Sequence, residues 1–259
     1  VAKLQNMKAS QDNFSRQAST YKKFRPTYPQ SLYDELLRIT KDTPRRQAWD
    51  CGTGNGQVAM ELAKHYEQVI ATDISQKQID NATVASNIKY RVERAEQTSF
   101  PDNQFDLITV GQAMHWFDFD AFEREVRRVG RVGGVISIWG YGLLRITAAI
   151  NEQIDHFYTD IIGPYWNEER RHIDRAYQSI PFKFEEIPTS NELVIEEDWD
   201  LGRFEGYLNS WSSVQHYIRQ HKGENPVTGF IQELASIWPA DVTHAIRFPI
   251  FMRSGVIEK

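Results

Sequence analysis

In the stretch WDCGTGNGQ an acid, Asp50, precedes three alternating glycines, Gly52, Gly54 and Gly56. Glycines in that rhythm let a chain bend with positive φ and bring its backbone against a ligand that a Cβ would hold off. A carboxylate ahead of the first glycine suits a cationic amino group and repels a pyrophosphate. Further on, Asp73 closes the apolar run QVIATD, where its carboxylate can accept hydrogen bonds from both hydroxyls of a ribose. Asp73 also has a purely structural alternative as the cap of a following helix, and Ile74 can be core rather than a face for a base. The acid at 73 equally matches a nicotinamide site, but the third glycine of a dinucleotide fingerprint is replaced by Gln57.

A second chemistry is offered by GQAMHWFDFDAF, directly after the strand-like FDLITV. His115 there has three readings: a general base for a phenol or alcohol, a wedge shaping a pocket wall, or plain core. Gln112 and Trp116 flank it, and Trp139 and Tyr141 close the run GGVISIWGYG at the same rim. Rings so placed make an apolar pocket compatible with a cation; the alternative for Trp139 is burial between strand and helix. Trp166 and Trp211 either reach the pocket from above or hold a small core of their own. Arg25 in FRPTYP can clamp a carboxylate or stay solvated, and Tyr21 and Tyr28 can close as a lid or staple the N-terminus down. His65, His156, His172, His216, His221 and His244 show no metal-ligand spacing, so no metal is expected.

The elements that must position these residues follow from periodicity. QAWDC, QVIATD, IKYRVE, FDLITV and GGVISIWGYG read as strands, separated by the helical QVAMELAKHY, SQKQIDNATVA and DAFEREVRRVG. Strands spaced by helices make βαβ units, hence a doubly wound α/β fold with a mostly parallel sheet. Ahead of it, Pro26 and Pro29 separate a helix around 12–22 from one around 31–39. After Gly142 the rhythm fails: 146–180 and 200–238 read as helical, FKFEEI and LVIEED as strands, and HAIRFPIFMRSG as a strand returning to the sheet. We therefore expect an N-terminal lid (1–30), a cofactor-binding core (31–142), a mainly helical inserted cap with part of the sheet edge (143–242) and a terminal strand (243–259).

Bulk composition limits the partners. With 259 residues, 41% of them hydrophobic, the chain can bury a full core. A net charge of -5 leaves no footprint for a nucleic-acid backbone. The single Cys51 fits a reducing compartment, and neither a signal-peptide core nor a membrane-length apolar run is found. The expectation is a cytoplasmic protein, monomer or homodimer, with a small-molecule substrate and no nucleic-acid or membrane partner.

Taken together and in order, Asp50 to Gly56, Asp73, ERAEQTSFPDNQFDLI, GQAMHWFD and RVGGVISIWGYG resemble the Rossmann-fold (class I) S-adenosylmethionine-dependent methyltransferases. The nearest likeness is to the small-molecule group, methyltransferase type 11, that includes trans-aconitate methyltransferases. FSRQASTYKKFRPTYP and YLNSWSSVQHY extend it over nearly the whole chain. The resemblance implies a seven-stranded sheet with an antiparallel last strand and S-adenosylmethionine as cofactor, leaving S-adenosylhomocysteine. It places Gly52, Gly54 and Gly56 along the methionine portion, Asp50 near its amino group and Asp73 on the ribose. Ile74 then lies against the adenine, Ala95 and Glu96 border its edge, and Gln112 sits beside the sulfonium; Tyr21 and Arg25 join them as cofactor-binding candidates from the N-terminal segment. Two positions depart from the pattern: Glu93 and Arg94 replace a usual Gly-Asp pair, which shifts the adenine contact to Glu96, and Val132 replaces a proline before Gly133 and Gly134.

Methyl transfer from a sulfonium is an in-line displacement, so alignment and exclusion of water supply much of the rate. A hydroxyl acceptor needs a base. A carboxylate arrives ionised and needs a guanidinium, for which Arg145, Arg170, Arg171, Arg175 and Arg219 are the stock. The resemblance to carboxylate methylators therefore argues against His115 as base, and O-methylation of a carboxylate or hydroxyl is the expected activity, with nitrogen the lesser alternative. A nicotinamide-dependent oxidoreductase and a non-catalytic S-adenosylmethionine-binding protein remain as other readings.

Overall fold

The computed structural model describes residues 24–189 and 192–259. The expected helix around 12–22, most of the expected lid, and Tyr21 lie outside them.

Each short apolar run of the first half is a strand: β1 (Gln47–Cys51), β2 (Gln68–Asp73), β3 (Ile88–Val92), β4 (Phe105–Gly111) and β5 (Gly130–Tyr141). Their pairings are all parallel, and their order is β3-β2-β1-β4-β5. Three more strands complete the sheet: β6 (Glu185–Ile187), β7 (Leu193–Trp199) and the long β8 (His244–Val256). β8 returns antiparallel against β5. Its other edge is shared, residues 254–256 pairing with β6 and 244–250 with β7. Eight strands thus fill seven places in the sheet.

Side-chain alternation separates the two faces. Trp49, Ile108, Ile136 and Ile138 join one core, while their neighbours Ala48, Leu107, Val135 and Trp139 join the other, as the two-residue period of a strand requires. Helices cover both faces. On the Trp49 side lies α4 (Phe119–Val129) through Phe122, Val126 and Val129. On the Ala48 side lie α1 (Gln30–Ile39) and α2 (Gln57–Leu62). Asp118 caps α4 by accepting the Ala121 N–H at 3.2 Å, and Arg127 and Arg128 occupy its last turn, so both ends complement the helix dipole.

Three helical expectations shorten, QVAMELAKHY keeping only α2 (Gln57–Leu62). The run SQKQIDNATVA gives only α3 (Gln76–Asp80), because Asn81 ends it and the Thr83 N–H turns to the Asn55 carbonyl at 3.3 Å, tying this loop to the glycine turn. Residues 146–180 break into α5 (Ala148–His156), a π turn (Phe157–Ile161), a 3-10 turn (Gly163–Tyr165) and α6 (Arg170–Asp174). Pro164 denies that region an N–H and sits with Gly163 where the helix stops. The remaining helices are α7 (Leu201–Asn209), α8 (Ser212–Gln220) and α9 (Pro226–Leu234). They pack with β7 and β8 around a third core containing Trp199, Phe204, Trp211 and Phe248. Among the described residues no helix is long and apolar enough to cross a membrane.

Candidate active site

The carboxyl ends of β1, β2 and β4 meet at one rim, the place where an open α/β sheet holds its ligand. There the three glycines do three different things. Gly52, at φ +67°, brings its α-carbon so close to the loop after β4 that a Cβ would stand 2.7 Å from that of Ala113. Gly56, at φ +85°, is the closing residue before α2, and a Cβ there would meet the Tyr90 hydroxyl at 2.2 Å. At Gly54, φ +55°, a Cβ would meet nothing within 4 Å, so the backbone faces open space.

That space is a concave, largely apolar cleft open to solvent at its mouth, the character of a small-molecule site. Gly52 and Gly54 line it beside Asp73 and Ile74 from the end of β2, Ala95 and Glu96 after β3, and Gln112 and Trp116 after β4. Arg94 and Phe117 line it too. Asp50 and Gly56 stand behind this wall, and Arg25 lies apart from it.

Asp50, expected near the cofactor's amino group, is engaged in the structure as a brace. It is 1% exposed and accepts the Thr53 hydroxyl at 2.5 Å, the Ala59 N–H at 3.1 Å and the Thr109 hydroxyl at 3.0 Å. Burial pushes its pKa up to about 6, against the lowering effect of these bonds. The carboxylate is spent on holding strand, glycine turn and helix together. Thr109, a polar residue inside the mostly apolar FDLITV, was the sequence signal for this buried partner.

Asp73 sits in the wall with capacity to spare. One oxygen accepts the Gly54 N–H at 2.9 Å and the other the Ser75 N–H at 2.9 Å. The Ile74 N–H also acts on this carboxylate, and of its roughly four acceptor sites capacity is left for a hydroxyl. The capping role belongs to Ser75, whose side chain accepts the Gln78 N–H. Burial raises the Asp73 pKa, opposed by its backbone donors.

Gln112 joins β4 to β5 at their ends. At φ +55° its N–H donates to the Trp139 carbonyl at 2.8 Å, and its Oε1 accepts the Tyr141 N–H at 2.8 Å. Glu96 is anchored by the Asp118 N–H at 3.1 Å and by Arg94 at 3.3 Å, so the departure at 94 restores a charged partner at the same edge of the cleft.

The aromatic expectations divide. Trp116 lines the cleft. Trp139 does not: it is 0% exposed, packed among Leu32, Leu36 and Val58, and is corrected from pocket wall to core. Residue 139 points to the α1 side, as does the Cβ direction of its β4 partner Gly111, where an added Cβ would stand 3.1 Å from the Trp139 ring, so the glycine makes room for the indole. Tyr141 is buried at the join of the sheet and the third core, where its hydroxyl accepts Arg25 Nη1 at 3.1 Å. Arg25 also reaches the Ser210 carbonyl and lies 5.5 Å from the centre of the Tyr207 ring. Trp211 belongs to that third core and Trp166 packs against it.

His115 lies outside the cleft wall and is 7% exposed. Its Nδ1 is 3.0 Å from the Tyr177 hydroxyl, and its ring is 5.0 Å from that of Trp116. Burial, helped by the charge of Arg170 and by His172, lowers its pKa to about 3. A base that weak takes little from an alcohol or phenol near neutrality. Tyr177 was not foreseen; it stands in a stretch that reads as helix but carries positive φ, 59°. Among the described residues no cluster of His, Cys, Asp and Glu could hold a metal ion.

Residues 49–138, which contain the rim, match the family model described as a methyltransferase domain. A Dictyostelium discoideum protein named as a methyltransferase is 37% identical over 211 residues, 80% of this chain and 80% of that one. The chain belongs to the class I S-adenosylmethionine-dependent methyltransferases. A structure of a methyltransferase from Anaeromyxobacter dehalogenans, described as type II, shares 36% identity and superposes with a TM-score of 0.81, covering 90% of this chain and 98% of that one. A Saccharomyces cerevisiae protein named as an S-adenosylmethionine-dependent methyltransferase is 22% identical over 265 residues, 89% of this chain and 91% of its own.

The methyltransferase cleft fits its cofactor on its own terms. Gly54 leaves the backbone open where an extended ligand must pass, Asp73 keeps acceptor capacity for a hydroxyl, and Ile74, Ala95 and Phe117 give apolar surface for a base. When bound, S-adenosylmethionine supplies an electrophilic methyl group, leaving S-adenosylhomocysteine.

Proposed function

We propose that this methyltransferase acts on a carboxylate oxygen of a small organic acid, bound at the seam between the sheet rim and the 143–242 segment. The observation that carries this reading is the position of Arg170. Its charge lowers the pKa of His115 on the rim side and opposes the burial-driven rise of Tyr158, Tyr177 and Tyr207, so one guanidinium addresses both sides of the seam. It lies 4.7 Å from the Trp166 ring centre and donates to the Tyr158 hydroxyl at 2.8 Å. Its Nε also pairs with Asp174 at 3.4 Å, a looser pairing than that of Arg145 with Asp155 at 2.7 Å. A second guanidinium, Arg25, points at the same ring cluster through Tyr141 and Tyr207.

Each residue then has a part. Gly54 and Asp73 seat the cofactor, and Gln112 stands beside the sulfonium, its amide held by the Tyr141 N–H. Arg170 and Arg25 orient the acceptor carboxylate with charge-assisted hydrogen bonds. Trp116, Tyr141 and Tyr207 exclude water, which strengthens those bonds. No proton has to move, in keeping with a histidine too weakly basic to take one.

Turnover on matched sets of a small aromatic or branched acid, its primary amide and its alcohol tests the proposal. Methyl transfer to the acid alone is expected; transfer to the alcohol with the acid inert would overturn it.

A further inference from the structure

Residues 24–29, FRPTYP, run from the third core to the sheet rim and are held at several points along the way. Phe24 takes the room a side chain would need on Gly206 of α7, where a Cβ would stand 2.3 Å from its ring. Arg25 donates to the Tyr141 hydroxyl at 3.1 Å. Thr27 gives its N–H, at 2.9 Å, and its hydroxyl, at 3.1 Å, to one oxygen of Glu197 on β7. Pro26 and Pro29 restrict φ on either side, and α1 starts directly from Pro29. Tyr28 is therefore carried on a stiff, anchored segment.

Two cores meet at Tyr28, and its ring packs against both. The ring stands edge-on to Trp139, centres 5.7 Å apart, and to Tyr141 at 6.4 Å. Its hydroxyl reaches the end of β4: a Cβ on Gly111 would lie 3.2 Å from it, so residue 111 has to be small for the phenol to arrive there. Gly111 and Gln112 line the cofactor cleft at this point. Tyr141 connects the two sides. Gln112 Oε1 accepts its N–H at 2.8 Å, Arg25 reaches its hydroxyl, and Tyr28 lies against its ring. The phenol of Tyr28 thus neighbours both the residue beside the sulfonium and one of the guanidiniums that hold the acceptor.

We propose that Tyr28 is a catalytic residue: its hydroxyl donates to the carboxylate oxygen that does not attack, and so aims the other oxygen at the methyl carbon. The assignment rests on the carboxylate reading. A carboxylate only accepts, so the phenol is the donor, and a charge-assisted bond of this kind is short and strong. In the step itself a lone pair of the second oxygen forms the O–C bond while the S–C pair passes to sulfur, leaving an ester and a neutral thioether. The phenol keeps its proton. Holding one oxygen stops the carboxylate from turning the other out of line, and alignment is what an in-line displacement needs most.

Tyr28→Phe removes the hydroxyl and keeps the ring against Trp139 and Tyr141. With the small aromatic and branched acids of the matched sets as probes, kcat/KM is expected to fall roughly 10–100-fold, the worth of a hydrogen bond to a charged group, while the Kd for S-adenosylhomocysteine and the Tm stay constant. An unchanged kcat/KM on an acid that the unaltered protein methylates overturns the assignment alone. A Kd for S-adenosylhomocysteine that weakens in step with kcat/KM overturns it too, because the hydroxyl would then serve the cofactor. Transfer by the unaltered protein to the alcohol, with the acid inert, removes the carboxylate reading and the assignment with it.

Discussion

The Asp73 carboxylate accepts the Gly54 N–H at 2.9 Å, so the acid at the end of β2 and the open glycine of the β1 turn form one unit across the cleft. Removing the acid takes away the acceptor of the Gly54 N–H and loosens the turn. Asp73→Ala is expected to weaken binding of S-adenosylhomocysteine on the order of 10²-fold, as for hydrogen bonds to a charged group. Calorimetry checks it, and an unchanged Kd would remove Asp73 from the site.

The glycines should separate by function. Gly54→Ala places a methyl group where nothing lies within 4 Å, so its stability cost is that of the left-handed backbone, about 1 kcal/mol, while cofactor affinity falls steeply. Gly56→Ala drives a Cβ to 2.2 Å from the Tyr90 hydroxyl, and stability should suffer more than affinity per folded molecule. Thermal unfolding paired with calorimetry tests the contrast; the reverse ranking would place the ligand over Gly56.

Arg170 should govern the acceptor and leave the cofactor alone. Arg170→Gln is expected to raise KM for the acid about 10–100-fold with the Kd for S-adenosylhomocysteine nearly constant. Steady-state kinetics read the split, and a KM unmoved by the substitution would take Arg170 out of acceptor binding.

Two buried groups give opposite pH slopes to stability. His115 is held neutral with its pKa lowered to about 3, so the unfolded chain binds more protons below the ordinary value near 6.5. Its contribution is present above about pH 6.5 and is lost as pH falls toward 3, at most about 1.4 kcal/mol per unit. Asp50, raised to about 6 from 3.8, works the other way: the native state holds the extra proton, and stability declines as pH rises through that window. In His115→Gln the acid-side loss should shrink, so the stability difference between pH 6.5 and 4.5 is smaller than in the unaltered protein. Urea unfolding at these pH values checks it; parallel curves would mean His115 is not buried as a neutral ring.

The sheet was legible because β1, β2, β4 and β5 are apolar runs of strand length punctuated by acids and glycines, and burial on both faces demands that pattern. The wall residues Gly54, Asp73, Ile74 and Gln112 were legible for the same reason, standing where strands end. For Asp50, Trp139 and His115 only the place along the chain was legible and not the facing: Asp50 and Trp139 turn into the core, and His115, read as base, pocket wedge or core, stands behind the wall beside Trp116. Tyr177 and Arg170 were harder. They come from broken helices whose approach to the rim depends on β8 pairing with β5, a contact between segments more than a hundred residues apart. The outer edge of β8 was likewise unreadable, since nothing local in FKFEEI or LVIEED says that the two strands share one partner.

The fate of the transferred methyl tests the central claim most directly. With S-adenosylmethionine labelled at the methyl carbon and a small acid as acceptor, the account predicts a product that mild alkali hydrolyses to labelled methanol, the behaviour of a methyl ester. A labelled product stable to alkali, an ether or an N-methyl amine, would contradict it.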